Sequence, residues 1–408
     1  MFTSGYSELP IYVHVPFCSK KCDYCDFFSV PGSDFRQQSR VVDQTLRQLS
    51  ALLAELKPRA VPTVYIGGGT PNSLFPELFQ SLISGISHIL NAYGLLPSYE
   101  WTTELNPELL TAEQMAFLRE SPVNRLSVGI QSFSAHYLRA IGRNAGPEET
   151  LNGLELLKAQ WKQPWSLDLI TALPQQTALD AQRDLETGLS FSPGHISLYT
   201  LTVEGDTPLY KKLQAGGLSE SSSDEVAEIL TALWTMLETN GYRHYEISNF
   251  ARPKQSGRHN WYYWRLRPYL GVGPAAVSTL QHSNGQAVRA TVPASIPEFI
   301  NSTAPAELLE KELLTPDQFM LEYLMMGLRT VPGIELETFS RIFGHDIRNI
   351  LKITLKDHLA AERLIFHTDE GKEFLSVTES GMLLLDKILV QAAAEIEPLH
   401  PRMNWPLR

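Results

Sequence analysis

The chain has 408 residues, of which 43% are hydrophobic and 19% charged, enough apolar material for one large globular domain and a smaller one. Its formal net charge of -11 argues against a general nucleic-acid binder, which carries a basic face. No apolar run approaches the roughly 20 residues that span a bilayer, so no transmembrane segment is expected.

Short β-rich runs alternate with helical patterns through more than half of the chain. The strands are expected at Ile11–Val15, Thr63–Ile66, Glu100–Glu104, Arg125–Gly129, Ser166–Ile170 and His195–Leu201. Each is followed by apolar residues at helical spacing, which predicts six βα units in series and a parallel sheet curled into a partial barrel. Sites on such sheets gather at the carboxyl ends of the strands. The polar and glycine-rich residues fall there: a cysteine loop after the first strand, Gly67-Gly-Gly-Thr-Pro71 after the second, Glu104 ending the third, Gln131 after the fourth and Asp168 in the fifth.

The cysteine loop is the most informative of these. Cys18, Cys22 and Cys25 are all the cysteines the chain has, spaced C-x₃-C-x₂-C. Three thiolates can hold a [4Fe-4S] cluster by three irons and leave the fourth open to a non-protein ligand. Two other readings exist. A disulfide framework sits poorly with an odd count and with the absence of a secretory signal pattern, and a reduced, cytoplasmic setting is expected. A structural zinc site would need His14, Asp23 or Asp26 as fourth ligand, because no downstream cysteine pair is present.

The three glycines allow close backbone approach to a ligand, and Thr70 adds a hydroxyl. They also fit a simple tight turn, since the P-loop and Rossmann patterns are missing. Glu104 could be a capping or surface carboxylate. Asp168, in an apolar strand, needs a partner such as a ribose hydroxyl or an ammonium group.

After Val292–Pro305, helices are expected at Asp317–Leu328, Leu336–Phe343, Ile347–His358 and Gly381–Ala394, with a hairpin around Asp369-Glu-Gly371. The pattern is winged-helix-like. Scattered acidic residues argue against DNA binding there and favour a lid or partner-docking surface. The expected organisation is a barrel over 1–240, a barrel extension over 241–300 and a C-terminal α+β unit over 301–408.

Together these residues carry a family resemblance. Tyr12-Val-His-Val-Pro-Phe-Cys18, Gly67-Gly-Gly-Thr-Pro71, Glu104-Leu-Asn-Pro107, Arg125–Phe133, Ile141-Gly-Arg143, Asp168-Leu-Ile170, His195–Tyr199 and Tyr245–Ala251 resemble the radical S-adenosylmethionine superfamily. Within it they resemble the oxygen-independent coproporphyrinogen III oxidase group, especially its HemW-type members. The resemblance implies that Cys18, Cys22 and Cys25 ligate the cluster and that S-adenosylmethionine chelates the open iron. It implies contacts to that cofactor from Tyr12, Gly68 and Glu104, from the backbone of Tyr24, and from Gly69, Thr70, Gln131, Arg143 and Asp168, partly for a second molecule.

The departures matter as well. Phe27 stands where the oxidases carry a fourth cysteine, and only eleven residues precede Tyr12. His259-Asn-Trp-Tyr-Tyr-Trp264 fits the H-N-x-x-Y-W pattern of the HemW type. All three features imply a haem-binding chaperone that delivers haem to acceptor proteins and works with an electron donor; the alternative is a coproporphyrinogen III dehydrogenase or another tetrapyrrole-modifying enzyme. His259 is the leading candidate for an axial haem donor, with His244, His14 and His195 behind it. The same segment could instead close the open side of the barrel, with His259 and Asn260 bonded to backbone. Ala145 and Val277 replace histidines common in the family, and Ala172-Leu-Pro-Gln-Gln-Thr177 stands where Gly-Leu-Pro-Gly-Gln-Thr is usual; none of these touches the cysteines.

Overall fold

In the computed structural model, which describes residues 2–143 and 145–402, all six expected strands form. β1 (Ile11–Val15) leads through the two-residue strands β2 (Phe17–Cys18) and β3 (Val30–Pro31) to β4 (Val61–Gly68), β5 (Leu95–Leu105), β6 (Arg125–Gln131), β7 (Trp165–Thr171) and β8 (His195–Thr200). β1 and β4 to β8 lie side by side in that order and pair in parallel. Near-continuous burial along them reflects a sheet covered on both faces.

The crossovers are α1 (Phe35–Leu56), α2 (Pro76–Leu90), α3 (Ala112–Glu120), α4 (Ala135–Ala140), α5 (Pro147–Gln160), α6 (Ala178–Ser190), α7 (Pro208–Gln214) and α8 (Ser223–Thr239). α1 starts where the Asp34 side chain accepts from the Gln37 N–H, and it stops at Lys57, which takes a left-handed conformation. Its buried stripe of Val41, Val42, Leu49, Leu52, Leu53 and Leu56 repeats at helical spacing against the sheet. Capping boxes at Thr177/Asp180 and Ser222/Glu225 begin α6 and α8.

The sheet is wider than expected. β9 (Arg243–Glu246) and β10 (Asn249–Ala251) add an antiparallel edge beyond β8. After α9 (His259–Trp264), β11 (Leu270–Val272) returns to pair in parallel with β1, giving nine strands in the order β11-β1-β4-β5-β6-β7-β8-β10-β9. The segment expected as a barrel extension therefore supplies both outer margins of the main sheet.

A second sheet of β12 (Val277–Gln281), β13 (Ala287–Thr291) and β14 (Glu310–Leu313) follows. Its last strand lies past the boundary expected at residue 301. The intervening Val292–Pro305 stretch contains α10 (Ile296–Asn301) and is clamped onto α1: the Gln44 side chain donates to the carbonyls of Phe299 (3.0 Å) and Ser302 (2.7 Å), and Gln48 to that of Pro305 (2.9 Å).

The C-terminal unit comprises α11 (Pro316–Leu328), β15 (Ile334–Glu335), α12 (Leu336–Phe343), α13 (Ile347–Ile350), α14 (Lys352–Ala360), β16 (Leu364–Asp369), β17 (Lys372–Val377), α15 (Glu379–Met382) and α16 (Leu385–Ile396). The hairpin turns at Glu370 and Gly371, both at positive φ, as a tight two-residue turn requires. β15 adds a third strand to it. The helix expected as continuous over Ile347–His358 breaks at Leu351, because Glu395 of α16 accepts from the Ile353 and Thr354 N–H groups and caps a new helix there. The helix expected over Gly381–Ala394 is likewise two pieces, α15 and α16.

Candidate functional site

β1 hands the chain to the cysteine loop at the carboxyl ends of the parallel strands. β2 and β3 pair in parallel, Phe17 with Val30 and Cys18 with Pro31, and so pin both ends of the loop. Beneath it, the His14 ring bridges the Phe28 carbonyl (2.9 Å) and the Tyr12 hydroxyl (3.0 Å). In the middle, the Asp23 N–H donates to the Ile141 carbonyl (2.9 Å), and its carboxylate pairs with Lys212 at 2.5 Å. Gly142 of the Ile-Gly-Arg motif sits at φ 73°, where a Cβ would strike the Asp23 carboxylate.

The thiols lie close enough to influence one another, and burial pushes Cys22 up to about 11 while Arg143 opposes the shift. Among the described residues, no three His, Cys, Asp or Glu side chains converge as one metal ion requires. A zinc site would bring all of its ligands within about 2.3 Å of a single ion. A cubane cluster instead places each thiolate on a different iron.

The glycine turn packs directly on this loop. The Gly69 N–H donates to the Val15 carbonyl (2.8 Å), the Thr70 N–H to that of Phe17 (2.7 Å), and the Thr70 hydroxyl lies 3.5 Å from the Cys18 sulfur. A Cβ on Gly67 would sit 2.6 Å from the Glu104 carboxyl carbon, and one on Gly69 2.5 Å from the Phe17 carbonyl oxygen. The glycines are therefore set by close approach as well as by turn geometry.

Glu104 accepts from the Tyr65 hydroxyl (2.8 Å) and the Gly68 N–H (3.1 Å). Burial raises its carboxyl to about 7, against those hydrogen bonds and with Asp168 adding to the rise. The folded protein thus keeps a proton that the unfolded chain releases in the ordinary carboxylate range, and stability falls as pH rises from that range through about 7. Glu104→Gln is expected to flatten this dependence, measured as urea midpoints at about pH 5 and about pH 7.5. Equal slopes in both proteins would refute it.

Three more expected residues face the same mouth. Gln131 ends β6 at φ 69°, where the register with β7 shifts. Arg143 donates to the Gly129 carbonyl (2.6 Å) and pairs with Glu108 (3.2 Å), yet its Nε is buried without a partner. Leaving such a donor unmet costs about 1–3 kcal/mol, so a ligand atom beside it fits. Asp168 already accepts from Ser127 (2.6 Å) and Ser166 (3.0 Å), which meets part of the need seen in the sequence. Tyr24 packs against the buried cluster of Tyr137, Ile141, Ile170 and Leu173.

A family model described as "Radical SAM superfamily" matches residues 12–187, and one described as "HemN C-terminal domain" matches residues 314–384. "Heme chaperone HemW" of Bacillus subtilis (strain 168) is 31% identical over 383 residues, which cover 92% of this chain and 97% of that protein. The chain belongs to the HemW family. "Heme chaperone HemW" of Escherichia coli (strain K12) is 29% identical over 398 residues, 95% of this chain and 98% of that one. The Bos taurus "Radical S-adenosyl methionine domain-containing protein 1, mitochondrial" is 31% identical over 395 residues, 94% of this chain and 83% of its own. The solved structure "Coproporphyrinogen III oxidase (HemN) from Escherichia coli is a Radical SAM enzyme" superposes with a TM-score of 0.77 at 22% identity, covering 95% of this chain and 90% of that one. The fold is the radical SAM α/β partial barrel with a smaller C-terminal unit.

In this HemW family member the H-N-x-x-Y-W segment is helix α9, and the structure explains how it is held. Glu100, the first residue of the strand expected at Glu100–Glu104, accepts from the Arg258 N–H (2.9 Å) and the His259 N–H (3.0 Å) and so caps the helix. His259 is buried, with Nδ1 2.7 Å from the Thr63 hydroxyl and Nε2 2.7 Å from the Tyr263 hydroxyl. Burial lowers its pKa to about 3. Both nitrogens are engaged by side chains, so the leading axial donor of the sequence reading has none free for iron. Trp261 stacks on Tyr245 and Trp264 meets it edge-on, but the His259 ring bonds side-chain hydroxyls and not the backbone that the barrel-closing alternative expected.

Of the other candidate imidazoles, those of His14 and His195 are buried and that of His244 is half-buried. His14 is engaged at both nitrogens, His195 bonds the Tyr245 hydroxyl at 2.7 Å, and His244 stacks on Phe250. Beyond α9, a cleft of about 490 Å³ opens between the barrel and helix α11.

Proposed function

We propose that this protein binds haem and delivers it to acceptor proteins, holding a [4Fe-4S] cluster on Cys18, Cys22 and Cys25 with S-adenosylmethionine beside it. End-to-end similarity to relatives named heme chaperones carries the reading. Phe27 supports it: the ring is 67% exposed at the place where the oxidase pattern has a further cysteine.

The donor set fits the two resident cofactors. Three thiols on a pinned loop suit a cluster with one open iron. When bound and reduced, the pair supplies single-electron chemistry at the sulfonium. The chain's own part is binding and orientation. In this reading Gly68, Gly69 and Thr70 form the backbone cradle, and the Glu104 carboxyl and the Tyr12 hydroxyl hold polar groups of the cofactor. The Tyr24 backbone lies against the adenine. Gln131, Arg143 and Asp168 line the remaining side, with the unpartnered Arg143 Nε the donor awaiting an acceptor. His259 has a positioning role through Tyr263. An external protein supplies electrons. No helix among the described residues is long and apolar enough to cross a membrane, and we place the protein in the reducing cytoplasm.

The test adds haem to the anaerobically reconstituted protein and follows the Soret band, then adds an apo haem protein. A parallel reaction with coproporphyrinogen III, S-adenosylmethionine and reductant is followed by mass spectrometry. Haem uptake and transfer without protoporphyrinogen IX is the expected result. Formation of protoporphyrinogen IX would make the protein a dehydrogenase instead.

A further inference from the structure

The cleft between the barrel and α11 combines aromatic and thioether side chains with three guanidinium groups. Its 490 Å³ falls within the range of about 300–1,000 Å³ that small-ligand sites span. Tyr199, Tyr263 and Tyr269 line its barrel side, and Met325 and Met326 its other side. Glu322, Met325 and Met326 of α11 and Arg329 at its C-cap are spaced i, i+3, i+4 and i+7, so they share one helix face. Met325 is 39% exposed on that lining.

The charges in the cleft do not cancel. Arg289 pairs with Glu322 at 2.5 Å, and Arg329 lies 3.8 Å from Glu246. Arg267, also on the lining, has no carboxylate within ion-pair distance among the described residues. Three guanidinium groups thus face two carboxylates, and the spare one offers a two-pronged donor suited to a carboxylate. Among the described residues no histidine lines the cleft, and His259 stands behind Tyr263 with both nitrogens engaged. The soft donors that remain are the two thioethers.

Building on the haem-carrier reading, we propose that haem sits in this cleft with a propionate on Arg267 and its iron on the sulfur of Met325. In cytochromes c a thioether holds haem iron together with a histidine, and it raises the reduction potential there. The Arg289–Glu322 and Arg329–Glu246 pairs then form a polar rim around the ring.

The experiment titrates haem into the full-length protein and into Arg267→Glu and Met325→Leu variants, recording affinity, Soret maximum and reduction potential. Both side chains are exposed, so the variants are expected to melt as the wild type does. Arg267→Glu should weaken binding about tenfold or more, the effect of losing one charge-assisted hydrogen-bonded pair. Met325→Leu should shift the Soret maximum and lower the potential, because leucine keeps the volume and removes the sulfur. If either variant binds haem as the wild type does, the assignment is overturned. If the wild type itself takes up no haem, the carrier reading fails, and this inference falls with it.

Discussion

Cys22→Ser protein, reconstituted anaerobically with iron and sulfide, is expected to retain only background iron and no charge-transfer absorbance. The chain has no cysteine beyond Cys18, Cys22 and Cys25, so no other thiolate exists to take the vacant iron. Two thiolates cannot hold a cubane that already leaves one iron open. The loop itself should survive. Its anchors are the β2–β3 pairing, the Asp23 N–H to the Ile141 carbonyl and the Lys212–Asp23 ion pair, none of which uses the Cys22 sulfur. Circular dichroism and melting of the apoprotein should therefore match the wild type. Wild-type cluster absorbance in Cys22→Ser would overturn the cofactor assignment.

Gly69→Ala is expected to damage both fold and cluster loading through one added methyl group. Its Cβ would lie 2.5 Å from the Phe17 carbonyl oxygen, 2.8 Å from that of Val15 and 2.9 Å from the Phe17 nitrogen. All three are backbone atoms of the segment that carries Cys18, so no rotamer change relieves the contact. Overpacking of this kind costs about 1–3 kcal/mol. Relief by backbone movement would also break the Gly69 and Thr70 hydrogen bonds that hold the turn on the loop. Gly217→Ala is the control: nothing lies within 4 Å of its added carbon, and the change should be within about 0.5 kcal/mol. Urea unfolding of both apoproteins and their iron content after reconstitution supply the comparison. Equal stability and loading in the two variants would show that the glycine turn does not brace the cysteine loop.

The main strands were legible in the sequence because each is a buried run with a helix behind it, and period and length identify such units. The cysteine loop was legible for a different reason, since three thiols at short spacing have few uses. Arg243–Glu246, Asn249–Ala251 and Leu270–Val272 were not legible as strands. Three or four residues show no period, and each becomes a strand only because a partner lies ready to pair with it: β8 for Asn249–Ala251, that strand in turn for Arg243–Glu246, and β1 for Leu270–Val272. Glu100 was missed in the same way: the N–H groups it caps are 158 and 159 residues away. His259 could be marked by its motif, but its surroundings could not, because Thr63 comes from another strand. The cleft has no sequence signature at all, since its wall is shared by Tyr199, α9, the small second sheet and α11.

The return of Leu270–Val272 to the side of Ile11–Val15 bears on how the molecule is made. While the ribosome adds about 5–20 residues per second, the strand that leads into the cysteine loop has one side bare until residue 272 has emerged. A bare strand edge is a template for pairing with another chain. Phe2 and Thr3 likewise wait for His282 and Gln281, their partners in the second sheet. Assembly of the cysteine loop's scaffold is therefore completed late in synthesis, and a nascent chain halted near residue 240 carries every cluster ligand on an unfinished support.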